Sequence, residues 1–303
     1  MLAAAARNAI ACRQMPHFIG PNMGNASSKA ELPEASAGPP GKIPSGSQTL
    51  LRGLDMIEAV VGGPILLADL AAQVGLTRST AHRLASALVD RRYLSLAPRV
   101  GYQFGPKLLE LGFLAQQQTD VVQIARPHLE ALAARTEDTV HLGILDNERA
   151  LYLDKIPGRR RVEISSRVGD RQPLTPTGLG KALLLDDDQA HWEKLFLEDQ
   201  AAGSPPADYA VWLERMHGYV TAGRAFDLEE NEDHIRCVAA PIRDVSGAIA
   251  AAISVSSAAQ YMADDRMQTL STEVLATTRA ISTDLGWSSE TVRKATRRGR
   301  SRR

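Results

Sequence analysis

Residues 65–104 read ILLADLAAQVGLTRSTAHRLASALVDRRYLSLAPRVGYQF, and they contain two helical patterns separated by a short turn. The first pattern ends at Gly75, and Thr77 is placed to cap a second helix that runs from Arg78 to about Val89. A short hairpin with Arg99 at its tip follows. Two helices joined by a tight turn and followed by a hairpin form the layout of a winged helix-turn-helix.

The second helix has one apolar face and one polar, basic face. Its apolar residues recur at i, i+3, i+4 and i+7, which places them together. The opposite face has no acidic residue, and it carries groups that contact phosphates and base edges in DNA. The candidate DNA-binding residues are Arg78, Ser79, Thr80, His82 and Arg83 in this helix and Arg99 in the wing. The alternative is a small helical bundle whose second helix is merely solvated.

The composition is typical of a globular chain with two ordinary domains. The 303 residues are 44% hydrophobic and 23% charged. No window approaches the roughly 18 uninterrupted apolar residues of a membrane span. Cys12 and Cys237 lie far apart, with no Cys/His cluster near them, which argues against a disulfide framework or a structural zinc. We therefore expect a cytoplasmic protein with no membrane partner, metal or cofactor.

The net charge of zero hides an uneven distribution. Residues 291–303 contain seven basic residues and no acidic one, which leaves 28 of the 35 basic residues against 35 acidic residues in the remaining chain. A DNA-binding surface on such a chain has to be a local patch, because the whole molecule supplies no attractive field.

The residue patterns divide the chain into five segments. We predict a disordered arm over residues 1–47, the winged helix-turn-helix domain over 48–104, a linker helix over 105–119, a second domain over 120–286 and a basic disordered tail over 287–303. The second domain opens with a helix, and its pattern then alternates. Strands are predicted at Val140–Leu145, Ala150–Asp154, Val162–Ser166, Ile235–Arg243 and Ala248–Ser256. With helices between them and after them, this domain is α+β with an antiparallel sheet.

The chain resembles the IclR-type transcriptional regulators over about residues 48–286. Three separated motifs carry the resemblance: Thr80–Leu84; Pro173-Leu174 with Thr177–Ala182; and Asp227–Asn231 followed by Cys237–Asp244, Gly247 and Ala252–Ser256. The resemblance implies an N-terminal winged helix, a C-terminal effector-binding domain related to GAF folds, assembly as dimers or paired dimers, and no catalytic role. His234 departs from the family pattern, which usually has glycine there.

The resemblance also implies a small-molecule pocket. Its residues carry over to Ile164, Gly178, Leu179, Asp227, Cys237, Ser254 and Ser256. The residues themselves support part of this, because in the last strand a bulky apolar face alternates with a small face that includes both serines. Glycines at the start of a predicted helix offer free N–H groups that suit a carboxylate. We therefore expect a small organic acid as effector. Solvent-facing serines and a simple glycine turn are the alternative.

Together these features predict a ligand-responsive transcriptional regulator. We expect it to bind double-stranded operator DNA as a homodimer or homotetramer and to act as a repressor, with the acid shifting the placement of the DNA-binding heads. One alternative is an enzyme that acts on a small acid through Cys237 or Asp227, and another is a winged helix that binds protein. Apolar neighbours favour a buried, inert thiol at Cys237. His234 would lie on the opposite strand face, so no Cys–His dyad is expected.

Overall fold

The computed structural model describes residues 47–161 and 164–288. The predicted N-terminal arm and basic tail lie outside the described residues, except for a few residues at their inner ends. None of the described helices is long and apolar enough to cross a membrane.

The N-terminal elements form the predicted winged helix-turn-helix. Helices α1 (Gln48–Ala59), α2 (Leu67–Val74) and α3 (Arg78–Asp90) precede the antiparallel strands β1 (Leu94–Ala97) and β2 (Gly101–Phe104). Gly75 ends α2 in the left-handed conformation at φ 68°, and the hydroxyl of Thr77 accepts the Thr80 amide hydrogen at 3.3 Å. These elements share one core, formed by Met56, Val60, Leu70, Ala71, Ala81, Ala85, Leu94 and Tyr102.

The wing is held by a close approach between two backbone segments. Ile65 and Tyr102 exchange two backbone hydrogen bonds of 2.9 and 2.8 Å, which tie β2 to the segment before α2. Gly101 lies at this contact with φ 115°, and a Cβ atom there would come within 2.3 Å of the Ile65 carbonyl oxygen. Glycine is therefore required at position 101, because of both the positive φ angle and the close backbone contact.

The second part of the described chain is an α+β domain, as predicted. Helices α4 (Pro106–Gln118) and α5 (Val121–Thr136) lead into it. Its strands are β3 (Thr139–Asp146), β4 (Arg149–Ile156), β5 (Arg171–Gln172), β6 (Ala225–Leu228), β7 (Ile235–Arg243) and β8 (Ile249–Ala258). Its remaining helices are α6 (Gly178–Leu183), α7 (Gln189–Ala201), α8 (Tyr209–Ala222) and α9 (Asp264–Asp284). The strands pair antiparallel in the order β5-β4-β3-β8-β7-β6.

Helices cover both faces of this sheet. On one face, α5 and α9 pack against Val140, Leu142, Ile253 and Val255 in a large apolar core. On the other face, α6, α7 and α8 form a second core with a cluster of aromatic side chains. Strand alternation therefore sends neighbouring residues of β8 into two different environments.

One predicted strand is wrong over its described part. Residues Ile164–Ser166 have no strand conformation, and residues 162 and 163 lie outside the described residues. The ammonium group of Lys155 donates to the carbonyl oxygens of Ile164 and Ser166 at 2.7 and 2.6 Å. A side chain therefore satisfies backbone groups that a neighbouring strand would otherwise bind.

The structure contains two short strands that were not predicted, and it explains the histidine at position 234. Strands β5 and β6 were not predicted, and both are short, with two and four residues. His234 has φ 63° and an exposed side chain, so it occupies the left-handed conformation that glycine adopts without steric cost. The departure from the family pattern therefore keeps the backbone conformation that glycine would have.

We predict that Gly101→Ala lowers the free energy of unfolding by more than about 2 kcal/mol, because a Cβ atom meets the Ile65 carbonyl and the φ angle is unfavourable. Gly218→Ala, at an exposed position of α8, is the matched control. No atom lies within 4 Å of its added Cβ, and alanine favours helix by about 0.5–1 kcal/mol. Urea unfolding followed by circular dichroism measures the free energy of unfolding of both variants. A Gly101→Ala protein as stable as the wild type would contradict the close approach.

Candidate nucleic-acid interface and ligand cavity

Helix α3 presents an exposed basic face. Ala81 and Ala85 are its buried positions, and Ser79, His82 and Arg83 lie on the opposite, exposed side, with Arg78 exposed beside them. None of the three basic residues Arg78, His82 and Arg83 forms an ion pair with another described residue. Their donors are therefore free for phosphate oxygens and base edges.

Thr80 differs from the other candidates on this helix. Its hydroxyl accepts a hydrogen bond of 2.9 Å from the Thr77 hydroxyl, and its amide is bound by the same cap. Its side chain is half-buried. Thr80 therefore holds the start of α3 in place, and a contact from its hydroxyl to DNA would have to share it with the cap.

Arg99 lies at the tip of the wing in a strained conformation. The Val100 amide donates to the Ala97 carbonyl at 3.1 Å, so residues 97–100 form a turn. Pro98 is the first central residue and Arg99, with φ 63°, is the second, where glycine or asparagine is usual. The side chain is exposed. An arginine kept at a position that favours glycine suggests a role for its guanidinium group.

The seven candidate effector residues line one cavity in the α+β domain. The cavity measures about 60 Å³ and lies between α6 and the face of the sheet that carries the second core. Its walls include Ile164, Gly178, Leu179, Asp227, Cys237, Ser254 and Ser256. The structure brings these residues together from three strands, one helix and one loop.

Strand alternation and glycine determine the shape of this cavity. Ile253 and Val255 of β8 enter the large core, whereas Ser254 and Ser256 turn to the cavity and are buried. Gly178 lets α6 approach closely, because a Cβ atom there would lie 3.2 Å from the Asp227 amide nitrogen and 3.3 Å from Cys237 Cβ. The small face expected for β8 is therefore a buried wall, and the serines are not solvent-facing.

Nine other described residues line the cavity, and none of them was predicted from the sequence to be an effector-binding residue. They are His141, Tyr152, Ser165, Ser166, Gln172, Thr177, Asn231, Glu232 and Ile235. Alternation along β3 does place His141 opposite the core residues Val140 and Leu142. Its position beside Ser254 depends on the pairing of β3 with β8, which connects distant parts of the chain. No local sequence signal reports that pairing.

His141 is a buried, neutral imidazole with one unused nitrogen. Its Nε2 atom lies 2.8 Å from Ser166 Oγ, and its Nδ1 atom has no hydrogen-bond partner among the described residues. Burial lowers the pKa of His141 to about 3, and the charge of Lys155 adds to the effect. The ring therefore stays uncharged at neutral pH, with one nitrogen as donor and the other as acceptor.

Asp227 is a buried carboxylate at the other side of the cavity. Its Oδ1 atom accepts the Glu230 amide hydrogen at 2.8 Å. Burial raises the pKa of Asp227 to about 6, although the charge of Lys181 acts in the opposite direction. Lys181 is itself buried and pairs with Glu230, which also accepts from Arg215 at 2.9 Å. Lys181 thus already has a carboxylate partner other than Asp227.

Cys237 has none of the properties of a catalytic nucleophile. Its thiol donates to Ser256 Oγ at 3.0 Å, and burial raises the pKa of the thiol far above its usual range. His234 cannot act as its base, because the His234 side chain is 91% exposed and lies next to Glu229. No group of three metal-ligating side chains was found among the described residues.

Comparisons with known proteins agree for both parts of the chain. The profile of the IclR helix-turn-helix domain matches residues 49–98, and that of the bacterial transcriptional regulator IclR C-terminal domain matches residues 113–283. The chain is 30% identical over 253 residues to the DNA-binding transcriptional repressor YiaJ of Escherichia coli, covering 80% of this chain and 90% of that protein. It is 32% identical over 225 residues to the regulator XynR of the same organism, covering 73% and 89%.

A solved structure shows the same architecture. The crystal structure of HmgR from Pseudomonas aeruginosa aligns with a TM-score of 0.69 at 25% sequence identity. The alignment covers 80% of this chain and 99% of that chain. The match therefore includes both the N-terminal and the C-terminal parts of the described fold.

We predict that Asp227→Asn changes how stability depends on pH. Because burial raises the pKa from its ordinary 3.8 to about 6, the folded protein loses stability as pH rises through that interval and Asp227 ionises. Asparagine has nearly the same shape and stays neutral. Between pH 5 and pH 8, the unfolding free energy of the variant should therefore rise relative to wild type by about 1–1.5 kcal/mol.

Urea unfolding at the two pH values measures this difference. Asp233→Asn is the matched control, because Asp233 is exposed in the loop that follows β6 and does not line the cavity. If the free energy of unfolding relative to wild type rises with pH equally in both variants, or in neither, Asp227 is not a destabilised buried acid.

Proposed function

The chain belongs to the IclR family of bacterial transcriptional regulators, and we propose that it is a cytoplasmic repressor that binds operator DNA through α3 and the wing. Its relatives are regulators and not enzymes, and it is a DNA-binding transcriptional regulator like them. The repressor role is supported by the name of YiaJ. A small organic acid in the cavity of the α+β domain would change the operator affinity.

The observation that carries this proposal is the basic face of α3. Arg78, His82 and Arg83 are exposed there and have no acidic partner among the described residues. A solvated helix face usually mixes both charge signs, whereas this one offers only cations and hydroxyls. Arg99 adds a cation at the wing tip, where a winged helix meets the DNA backbone.

We further propose that the protein assembles as a homodimer, or as a homotetramer of two such dimers. No residue of α4 is buried within the described chain, yet the helix carries Leu109, 79% exposed, and Phe113, 60% exposed. Helix α1 likewise exposes Leu50 and Leu54. Apolar surface of this extent favours burial against a second copy. A dimer would present two α3 helices to half-sites about 34 Å apart.

We propose that a carboxylate of the effector binds between α6 and β8. Thr177 already binds the amides of Gly180 and Lys181, which leaves the amides of Gly178 and Leu179 as the donors at the N-terminal end of α6. Ser256 accepts from Cys237, so its own O–H group can donate to a ligand. Ser254 lies beside it on the same face. None of the described lining residues is Lys or Arg, so hydrogen-bond donors would hold the anion.

We predict that Arg83→Ala weakens operator binding by about 1–3 kcal/mol, because it removes a cation from the centre of the exposed face. Arg99→Gly should also weaken binding. Its free energy of unfolding should stay equal or increase, because glycine accepts the positive φ at the wing tip. Gel shifts and fluorescence anisotropy on an operator fragment selected with the wild-type protein measure both affinities.

These two variants separate DNA contact from fold. Arg99→Gly removes a side chain from a strained site, so a loss of affinity cannot come from a damaged wing. Wild-type affinity in a folded Arg83→Ala protein would show that this face of α3 does not contact DNA.

We predict that Phe113→Glu converts the assembly to monomers at micromolar concentration, because it places a charge in the proposed interface. Ala115→Glu is the control, since it adds the same charge about 200° around the helix from Phe113. Light scattering gives the molar mass of each variant. A monomeric wild-type protein, or an unchanged dimer in Phe113→Glu, would rule out this role for α4.

A further inference from the structure

We propose that the effector is a short hydroxy acid whose hydroxyl groups bind Asp227 and His141. The inference rests on the proposed function, because it takes the cavity between α6 and the sheet as the effector site. It adds the part of the ligand that lies beyond the carboxylate.

Asp227 has an acceptor that the protein does not satisfy well. Its Oδ1 atom accepts the Glu230 amide hydrogen, and the Asn231 amide also acts on the carboxylate, whereas the hydrogen bond from Cys237 Sγ to Oδ2 is long, at 3.9 Å. The same thiol lies closer to Ser256 Oγ, at 3.0 Å, and its single S–H hydrogen cannot serve both oxygens. A carboxylate has about four acceptor sites, so the buried Asp227 side chain can accept a further hydrogen bond. An O–H group of a ligand would supply that donor.

His141, another residue of the cavity wall, has a second unmet hydrogen bond. Its Nδ1 atom is buried without a partner, while Nε2 is engaged with Ser166. Either nitrogen of a neutral imidazole can carry the proton. A hydroxyl group both donates and accepts, so it pairs with Nδ1 in either tautomer. An alkyl chain or an aromatic ring pairs with it in neither.

The remaining walls also favour a polyhydroxylated ligand. Only three lining residues are aliphatic, namely Ile164, Leu179 and Ile235. The others carry hydroxyl, amide, carboxylate, thiol or imidazole groups, or are glycine. Some of these groups already bond to one another, as Ser166 does to His141 and Ser256 to Cys237. An apolar ligand body would leave those that do not, such as His141 Nδ1, without a partner, at about 1–3 kcal/mol each.

Hydrogen-bond chemistry and volume narrow the ligand further. An ammonium group donates hydrogen bonds but accepts none, so it pairs with His141 Nδ1 in only one of the two tautomers. The cavity of about 60 Å³ is also small. These limits favour a short hydroxy acid over an amino acid or an aromatic acid.

The experiment compares acids of equal chain length in calorimetric titrations of the full-length protein at pH 7.5. The pairs are glycolate with acetate, glycerate with propionate, and threonate with butyrate. Serine is added to test an amino group. At least one hydroxy acid should bind ten or more times more tightly than its deoxygenated partner, and more tightly than serine.

Asp227→Asn tests whether Asp227 recognises the ligand hydroxyl, because it replaces a carboxylate that only accepts hydrogen bonds with an amide that also donates them. We expect the preference for the hydroxy acid over its deoxygenated partner to fall at least tenfold. Asp233→Asn, which changes an exposed residue of the loop after β6 outside the cavity wall, should keep the wild-type preference. A purely structural role for Asp227 would weaken both acids equally and leave the ratio unchanged.

The inference is overturned if no hydroxy acid binds, if a deoxygenated acid or serine binds as tightly, or if Asp227→Asn leaves the ratio unchanged. Other measurements would contradict the proposed function itself. A wild-type protein that shifts no genomic DNA fragment would overturn DNA recognition. Neutral polyols such as glycerol and threitol that bind as tightly as the hydroxy acids would overturn the carboxylate requirement and, with it, the acid part of this inference.

Discussion

The close packing of α6 against the sheet is the constraint on which the α+β domain depends. All six residues of this helix are buried. A Cβ atom at Gly180 would come within 2.3 Å of the Leu174 carbonyl oxygen, and one at Gly178 would lie 3.2 Å from the Asp227 amide nitrogen in β6 and 3.3 Å from Cys237 Cβ in β7. The backbone at Leu174 and Asp227 cannot move aside as a flexible side chain would. Glycine at these two positions therefore allows α6 to lie close to β6 and β7, where Asp227 and Cys237 form part of the cavity wall.

Burial of α6 places a lysine inside the protein, and that lysine determines the loop after β6. An unpaired buried ammonium is strongly unfavourable, so Lys181 requires a close carboxylate, which Glu230 provides. Arg215 of α8 binds the other oxygen of Glu230 and connects a second helix to the same loop. The loop is held in a conformation with positive φ at Glu229 and His234. A ligand that contacts Asp227 therefore contacts a segment tied to two helices.

The sequence contains local signals for some of these features and none for others. Gly75, Thr77 and the wing tip act within a few residues, so the winged helix-turn-helix was predictable from the residues alone. The long hairpin of β7 and β8 was predictable for the same reason. His141 becomes a cavity residue only through its pairing with β8, and Lys155 replaces the predicted strand at Ile164–Ser166 by binding carbonyl groups. Both the strand pairing and the lysine hydrogen bonds join residues that are separated along the chain. Neither produces a hydrophobic period or a turn residue that could be recognised in the sequence.

Four buried side-chain atoms of the described chain have no hydrogen-bond partner, namely His141 Nδ1, Tyr209 Oη, Arg224 Nε and Arg236 Nε. The two arginines are compensated, because their terminal nitrogens are bonded, to Gln268 in one case and to Met262 and Asp264 in the other. Of the four residues, only His141 lines the cavity. Arg99 similarly retains an unfavourable backbone angle at an exposed tip. Folding alone favours neither feature, because glycine would relax the wing tip and an apolar residue would suit the interior better at position 141. A ligand hydroxyl and a DNA phosphate would each supply the interaction that the folded chain lacks.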